Sequence, residues 1–174
     1  QGDLSSPDSW YKTYAAKATK TSDNGTHPQN LFELLSRDTF KDISVQTYFD
    51  RTANNLTNQS NRHPYSGESL FARYKDENNY YYAGIRADGY VVIKKKVNGT
   101  YTTLATKKVL EGSYNNTSNP DLIPLNTWIG LKFTVTDDSD GVPQLVLETD
   151  VNWTGAWTQV LKIADTKGTA LSNA

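Results

Sequence analysis

Apolar and polar residues alternate one by one along much of this chain. In the segment "DISVQTYFD", Ile43, Val45 and Phe49 fall on one side, and polar or aromatic residues lie between them. The run "TWIGLKFTVT" alternates in the same way. A period of two residues is typical of a β-strand with one buried face. The pattern therefore predicts strands along most of the chain.

Polar turn sequences separate the other predicted strands. "SLFARYKD", "NYYYAGIR", "YVVIKKKV" and "YTTLATKKV" follow one another through the linkers "ENN", "ADG" and "NG". Asn-Gly is the strongest short hairpin signal, because both residues adopt positive φ readily. "PQLVLETDV" predicts a further strand, and "AWTQVLKIADT" is compatible with a short strand or a single helical turn.

This series of short strands predicts an all-β fold, a β-sandwich jelly roll of two antiparallel sheets. We expect a single domain over residues 1–174, with helix well below a fifth of its residues. Residues 6–20 and 30–40 are helix candidates, although both segments are also compatible with strands. The residues expected to fill or close the core are Ile43, Val45, Leu70, Ile85, Ile93, Leu131, Phe133, Val135 and Val146, with Trp128 or Trp157.

Charge and composition exclude several classes of protein. The chain has 18 basic and 19 acidic residues, whereas a nucleic-acid binder would show a strong basic excess. No apolar run approaches the roughly 20 residues that span a bilayer, so we expect no membrane insertion. The chain has no cysteine and only two histidines, His27 and His63. Thiol chemistry and a multi-histidine metal site within one chain are therefore excluded.

Glycosylation sequons are frequent in this polar, threonine-rich sequence. The sequence Asn-x-Ser/Thr marks acceptor sites for N-linked glycans in secreted proteins. The candidate sites are Asn24, Asn55, Asn58, Asn98, Asn115, Asn116 and Asn152. Their number favours an extracellular or cell-surface protein, although a merely polar exterior is the alternative.

Tyrosines and cations gather on one face of the central predicted strands. Because side chains alternate across a strand, Tyr80, Tyr82 and Arg86 share a face of "NYYYAGIR". Lys94 and Lys96 likewise share a face of "YVVIKKKV". We assign the apolar faces of these strands to the core, which leaves the tyrosines and cations on an outer surface. The candidate ligand-binding residues are Arg73, Tyr80, Tyr82, Arg86, Lys94, Lys96, Gln46 and Tyr48.

This combination of side chains suits an acidic polysaccharide or oligosaccharide. Aromatic rings stack on the apolar faces of sugar rings. Arginine and lysine pair with carboxylates or sulfates. The alternative is an ordinary solvated sheet face, because tyrosine favours strands and lysine discourages edge-to-edge pairing.

The stretch "SLFARYKDENNYYYAGIRADGYVVIKKKVNGTYTTLA" resembles the central hairpins of concanavalin A-like (laminin G-like) jelly-roll domains. "LVLETDVNWTGAWTQVLKIADT" resembles their final strands, so the resemblance covers residues 40–166. This superfamily includes lectins, carbohydrate-binding modules, glycoside hydrolases, polysaccharide lyases and adhesion modules. The resemblance implies a fold but no single activity. We expect a secreted, non-catalytic carbohydrate-recognition or adhesion domain.

A polysaccharide lyase acting by β-elimination on a uronate polymer is the first alternative. "YYYAGIR" is similar to the Y-x-K-A-G strand of jelly-roll lyases, but Tyr82 stands at the lysine position. "VQTYF" is similar to their Q-[IV]-H strand, but Tyr48 stands at the histidine position. Both departures argue against this activity. A lyase would have to use His63, Tyr82 and Arg73 as its catalytic residues.

Two further chemical roles to consider are glycoside hydrolysis and metal binding. Glu148 and Asp150 are the nearest approach to a hydrolase carboxylate pair, but a solvent-facing edge pair is the simpler interpretation. No cofactor is required, although the turn "DDSDG" and the resemblance are compatible with a structural calcium, whose ligands are unknown.

The second alternative function is a structural subunit of an extracellular filament or surface layer. Residues 1–30 would then form an N-terminal extension or an exchanged strand that mediates self-association.

Overall fold

Eight β-strands form in the part of the chain that the computed structural model describes, which comprises residues 35–36, 38, 40–54 and 63–171. No helix occurs within these ranges, and none of their segments is a helix that could cross a membrane. Residues 6–20 and most of 30–40, the helix candidates, lie outside the described residues. The strands are β1 (Ile43–Phe49), β2 (Gly67–Asp76), β3 (Asn79–Arg86), β4 (Tyr90–Val97), β5 (Thr100–Lys108), β6 (Ile129–Asp137), β7 (Pro143–Val151) and β8 (Thr158–Ala164).

The strands form two four-stranded antiparallel sheets. One sheet has the order β1-β6-β7-β8, and the other has the order β2-β3-β4-β5. The predicted all-β sandwich of two antiparallel sheets is therefore confirmed. The second sheet is a meander of hairpins, because each strand pairs with the next one in sequence. In the first sheet β1 pairs with β6, which lies far along the chain.

Tight turns set the register of the meander. Asn98 and Gly99 have φ values of 48° and 79°, and the flanking residues Val97 and Thr100 pair with each other. Two consecutive positive φ angles are the geometry of the two-residue hairpin loop that Asn-Gly favours. This local chemistry explains why β4 ends and β5 begins within a residue of where the sequence pattern predicts.

The core lies between the two sheets. The predicted core residues that are buried there are Leu70, Ile85, Ile93, Leu131, Phe133 and Val135. Ile43 and Val45 are half-buried and pack against them. Tyr81, with its ring fully buried, adds a large aromatic side chain to the same layer.

Three residues expected in the core lie elsewhere. Val146 pairs with Thr134 on the outer face, because the flanking Leu145 and Leu147 point inward. Trp128 is 42% exposed, and Trp157 is half-buried with its ring against Tyr48. Large apolar area alone therefore did not identify the buried positions, since both tryptophans belong to an outer aromatic cluster.

Two groups of charged residues mark the two ends of the sandwich. At one end Arg51, which follows β1, donates to Glu68 of β2 at 2.8 Å and to Asp121. At the other end Arg73 donates to Asp137, the last residue of β6, at 2.7 Å. We call these the Arg51 end and the Arg73 end, and they locate the surfaces described below.

Candidate functional site

The outer face of the sheet β2-β3-β4-β5 carries an aromatic and basic surface. Cross-strand pairing places Tyr80, Lys96 and Tyr101 in one row. Tyr82, Lys94 and Thr103 form the adjacent row. Residues of one row lie side by side on the same face of an antiparallel sheet. The tyrosine–lysine face is defined by Phe71, Tyr80, Tyr82, Tyr101, Lys94 and Lys96.

The rings of this face are in contact with one another. Phe71 lies 5.2 Å from Tyr80 and 6.2 Å from Tyr82, measured between ring centroids. Tyr82 in turn lies 6.2 Å from Tyr101 in an edge-to-face arrangement. Tyr80 is only 4% exposed, whereas Tyr101 is 54% exposed. Tyr80 therefore supports the layer from within, and Tyr82 and Tyr101 present its accessible surface.

The two lysines of this face differ in their surroundings. The Lys96 ammonium lies 4.9 Å from the Tyr101 ring and 5.7 Å from the Tyr80 ring, and it donates to the Glu77 carbonyl at 2.8 Å. These contacts hold the charge beside the rings. Among the residues that the structure describes, neither Lys94 nor Lys96 is in an ion pair. No carboxylate of the described residues therefore neutralises either charge.

Burial also controls the ionisation of this face. It raises the pKa of Tyr82 to about 12, with a smaller contribution from Tyr101. The phenol therefore stays protonated at neutral pH and acts as a hydrogen-bonding group. A tyrosine in this state is a poor base, which bears on the lyase alternative.

Arg86 shares the outer face but lies toward its Arg51 end. It lies four positions after Tyr82 on β3, a distance of about 13 Å along a strand. Its guanidinium pairs with Asp88 and lies 5.8 Å from the Tyr90 ring. Arg86 is therefore a neighbour of the tyrosine–lysine face with its own carboxylate partner.

Arg73 does not belong to this face, contrary to the sequence prediction. A β-bulge interrupts the pairing of β2 with β3 between Ala72 and Asp76, and Arg73 itself has a φ of 47°. A bulge adds one residue to the strand and so reverses the side to which the next side chain points. The Arg73 side chain is fully buried, where it binds Asp137 and the carbonyls of Lys41 and Leu171.

Gln46 and Tyr48 lie on the opposite sheet. Both are on β1, and their cross-strand partners are Lys132 and Gly130 of β6. The prediction that they adjoin the tyrosine–lysine face is therefore wrong. The Tyr48 ring instead stacks on Trp153 at 4.9 Å, in an aromatic cluster that sequence reasoning did not identify.

The three residues that a lyase would need are not brought together. His63 is exposed and stacks on Tyr65 at 4.7 Å, just before β2 begins. Arg73 is buried further along the same strand, about 20 Å from Gly67 in an extended chain. Tyr82 projects from the outer face of β3. No shared substrate position follows from this arrangement.

The carboxylate candidates have structural partners. Glu148 pairs with Lys132 at 2.8 Å, and Asp150 accepts a hydrogen bond from Tyr48 at 2.6 Å. In the turn "DDSDG", Asp138 accepts from the amides of Asp140 and Val142. Within the described ranges, no three histidine or acidic residues are grouped so that they could hold a metal ion.

Four of the predicted glycosylation sites lie within the described residues. Asn98, Asn115, Asn116 and Asn152 are all exposed. Asn98 lies in the β4–β5 turn, and Asn152 lies beside Trp153 in the loop after β7. The other candidates, Asn24, Asn55 and Asn58, lie outside the described residues, and attachment of glycans stays a prediction at every site.

Comparison with known proteins identifies one similar structure. Neither a protein-family model nor a curated protein sequence matches the chain. Among solved structures, the chain is similar to the carbohydrate-binding module CBM66 from Bacillus subtilis, with a TM-score of 0.51 and 20% sequence identity. The match covers 80% of this chain and 67% of that one. The two proteins share a fold.

Proposed function

We propose that this domain is a non-catalytic carbohydrate-binding module that prefers acidic polysaccharides. The observation that carries the proposal is the tyrosine–lysine face, where accessible rings of Tyr82 and Tyr101 adjoin the charges of Lys94 and Lys96. The shared fold with a carbohydrate-binding module supports it by analogy alone, since one fold can carry different sites.

The chemistry of the face matches the two properties of an acidic sugar chain. The rings offer flat apolar area at little cost in rotamer entropy, which suits the C–H face of a pyranose. The lysine charges then meet carboxylates or sulfates on the same chain. Exposed charge pairs are screened by salt, so affinity should fall as ionic strength rises.

Binding without cleavage is the better interpretation of the geometry. A β-elimination needs a base, an acid and a cation around one sugar. Here His63 is exposed before β2, Arg73 is buried, and the phenol of Tyr82 holds its proton. We place the domain outside the cell or at its surface, where an exposed sequon such as Asn98 would be accessible to glycosylation.

A glycan array of uronate-bearing, sulfated and neutral oligosaccharides tests this proposal, followed by calorimetric titration of the strongest ligand. Lys94→Ala should weaken binding about tenfold, the loss expected for one charge-assisted hydrogen bond. Lys162→Ala removes an exposed lysine of β8 on the opposite sheet and is the matched control. Its affinity should equal that of the unmodified protein.

Two results would contradict the proposal. One is binding of no acidic glycan; the other is binding that responds neither to salt nor to Lys94→Ala. Incubation of a bound uronate polymer tests the lyase alternative separately. The appearance of ultraviolet absorbance from unsaturated products, lost in Tyr82→Phe, would establish cleavage.

A further inference from the structure

We propose that the opposite sheet carries a second carbohydrate-binding surface, which takes an uncharged saccharide. This inference rests on the proposed function only in assuming that the domain binds sugars. The surface lies at the Arg51 end, on the outer face of β1-β6-β7-β8. We call it the tryptophan platform, and it is formed by Tyr48, Trp128, Trp153 and Trp157.

The platform presents aromatic area to solvent in a fixed arrangement. Tyr48 and Trp153 are stacked, with an interplanar angle of 13°. Trp128 packs against the edge of Trp153, with ring centroids 4.7 Å apart. Yet Trp153 is 56% exposed and Trp128 is 42% exposed. Adjacent exposed tryptophans are uncommon on a monomeric surface and mark an interaction site.

The backbone beneath the rings is shaped to receive them. Gly130 of β6 lies under Tyr48 and Trp157. A Cβ atom at this position would lie 2.6 Å from Tyr48 Cε1 and 2.9 Å from Trp157 Cη2, closer than real Cβ contacts. The absence of a side chain at Gly130 therefore allows both rings to lie close against the sheet.

A buried carboxylate fixes the loop that supplies Trp153. Asp150 is 1% exposed and accepts hydrogen bonds from the Tyr48 hydroxyl, from the Thr154 hydroxyl at 2.6 Å and from the Gly155 amide at 2.7 Å. Burial acts to raise its pKa, but these hydrogen bonds outweigh burial and lower the pKa to about 2. Asp150 therefore joins the loop to β1.

The loop holds two residues in an unfavourable backbone conformation. Asn152 has a φ of 69° and Trp153 a φ of 52°. The left-handed region is tolerable for asparagine but costly for a bulky residue such as tryptophan. Strain of this kind persists where the surrounding structure enforces it and is concentrated at binding sites. Here the strained backbone orients the indole ring of Trp153. Because that ring is largely exposed, its burial adds little to the stability of the fold.

The polar groups beside the rings are suited to hydroxyls and carry no excess charge. Gln46, Lys132 and Glu148 form one cross-strand row next to the Tyr48–Gly130 row. Lys132 and Glu148 pair at 2.8 Å, and the Lys132 ammonium lies 4.7 Å from the Trp157 ring. The row offers an amide, an ammonium and a carboxylate as hydrogen-bonding groups, while its charges cancel.

Charge complementarity therefore separates the two surfaces. The tyrosine–lysine face has lysine charges outside any described ion pair, whereas the tryptophan platform is internally neutralised. A saccharide with a C–H face and hydroxyls satisfies both the rings and the polar row, and an anion would gain nothing there. The two surfaces lie on the outer faces of different sheets, so each can be tested with its own ligand.

Fluorescence titration of the full 174-residue chain tests the proposal, with cellohexaose, mannohexaose, xylohexaose and maltohexaose as probes. The protein is prepared in a bacterial host, because a glycan on Asn152 would lie next to Trp153. We expect at least one probe to change tryptophan fluorescence with a Kd at or below about 1 mM. Trp153→Ala and Trp128→Ala should each weaken that binding at least tenfold.

Matched variants separate a binding role from a folding role. Val151→Ala truncates an exposed apolar residue at the end of β7, opposite Ile129 of β6, and should leave the Kd unchanged. Trp153→Gly removes the ring and relieves the positive φ, so it should abolish binding while the melting temperature stays the same or rises. Tyr101→Ala alters only the tyrosine–lysine face and should leave neutral binding intact. The two proposed surfaces can thus fail independently.

Hydroxyl-radical footprinting identifies any other occupant of the platform. Trp128 and Trp153 should be oxidised readily in the free chain and protected when the probe is bound. Protection in the free chain at all dilutions would show that another part of the same chain covers the rings and would overturn the proposal. Protection that is lost on dilution would show that a second copy of the chain covers the rings, and this result would also overturn the proposal. Absence of any fluorescence change with all four probes would also overturn it.

Discussion

Arg73 donates a hydrogen bond of 2.7 Å to Asp137, and this ion pair joins the two sheets at one end of the sandwich. The arginine side chain is fully buried, and the carboxylate is 15% exposed. Burial acts to raise the pKa of Asp137, but the bonds from Arg73 and Lys41 outweigh it and hold the pKa below its usual value. Arg73, which the sequence predicted to bind a ligand, thus stabilises the fold instead.

Replacing Arg73 should destabilise the domain severely. Arg73→Met keeps the length of the side chain but leaves Asp137 without its buried partner. The loss of one member of a buried pair costs about 3–5 kcal/mol of unfolding free energy. Urea unfolding followed by circular dichroism measures this change.

Lys41 provides the control for that experiment. It pairs with the same carboxylate of Asp137 at 3.2 Å, but its side chain is 54% exposed. Lys41→Met should therefore cost less than about 1 kcal/mol, as exposed ion pairs do. Equal losses for Lys41→Met and Arg73→Met would contradict a special role for burial at Arg73.

Gly130→Ala should disturb the tryptophan platform from below. Its Cβ cannot fit without displacing Tyr48 and Trp157, so we expect a loss of about 1–3 kcal/mol and a changed near-ultraviolet circular dichroism spectrum. Gly141→Ala is the control, because Gly141 has a φ of 77° but no atoms near its Cβ position. That variant should lose about 1 kcal/mol of stability from backbone strain with an unchanged spectrum. An unchanged spectrum in Gly130→Ala would show that the rings do not rest on this glycine.

Acid should weaken the loop through Asp150. Its pKa is lowered from 3.8 to about 2 in the folded protein. A group with a depressed folded pKa stabilises the fold above its unfolded pKa, and this contribution is lost as pH falls toward the folded value. The stability gap between the protein and Asp150→Asn should therefore narrow between pH 4 and pH 2. Urea unfolding across this range measures the difference in stability between the two proteins. A difference that stays constant would contradict the lowered pKa of Asp150.

The strands could be predicted because the signals that define them, side-chain alternation and turn residues, involve only residues that are close in sequence. Alternation and turn chemistry, such as Asn98-Gly99, give β3, β4 and β5 within a residue of their observed bounds. The parity of β3 and β4 also correctly places Tyr82 and Lys94 on one face. These features depend on neighbouring residues alone.

The errors arise where structure depends on distant parts of the chain. The pairing of β1 with β6 decides that Tyr48 lies on the opposite sheet, and nothing in "DISVQTYFD" encodes that partner. The bulge that turns Arg73 inward has no periodic signal, and the partner that Arg73 meets there, Asp137, lies 64 residues along the chain. Trp128 looks like a core residue because an exposed ring platform and a core share the same hydrophobicity.

The segment that follows β8 should depend on one lysine. Lys95 of β4 is 4% exposed in its side chain, and its ammonium binds both oxygens of Asp165 at 2.8 Å and the Thr169 carbonyl at 3.0 Å. The amide of Leu171 donates to the hydroxyl of Tyr81, which itself donates to Asp165. This network ties residues 165–171 to the buried face of the meander.

Lys95→Met should release that segment before it unfolds the rest. The change leaves the buried Asp165 without its cation, so the last residues should detach to hydrate the carboxylate. Hydrogen exchange should accelerate much more at the amides of Lys167 and Leu171, which donate to Asp165 and Tyr81, than in β3. Lys162→Met, at an exposed lysine of β8, should leave both regions protected. Equal acceleration in β3 would instead mean global destabilisation, and no acceleration would mean that Lys95 does not anchor the segment.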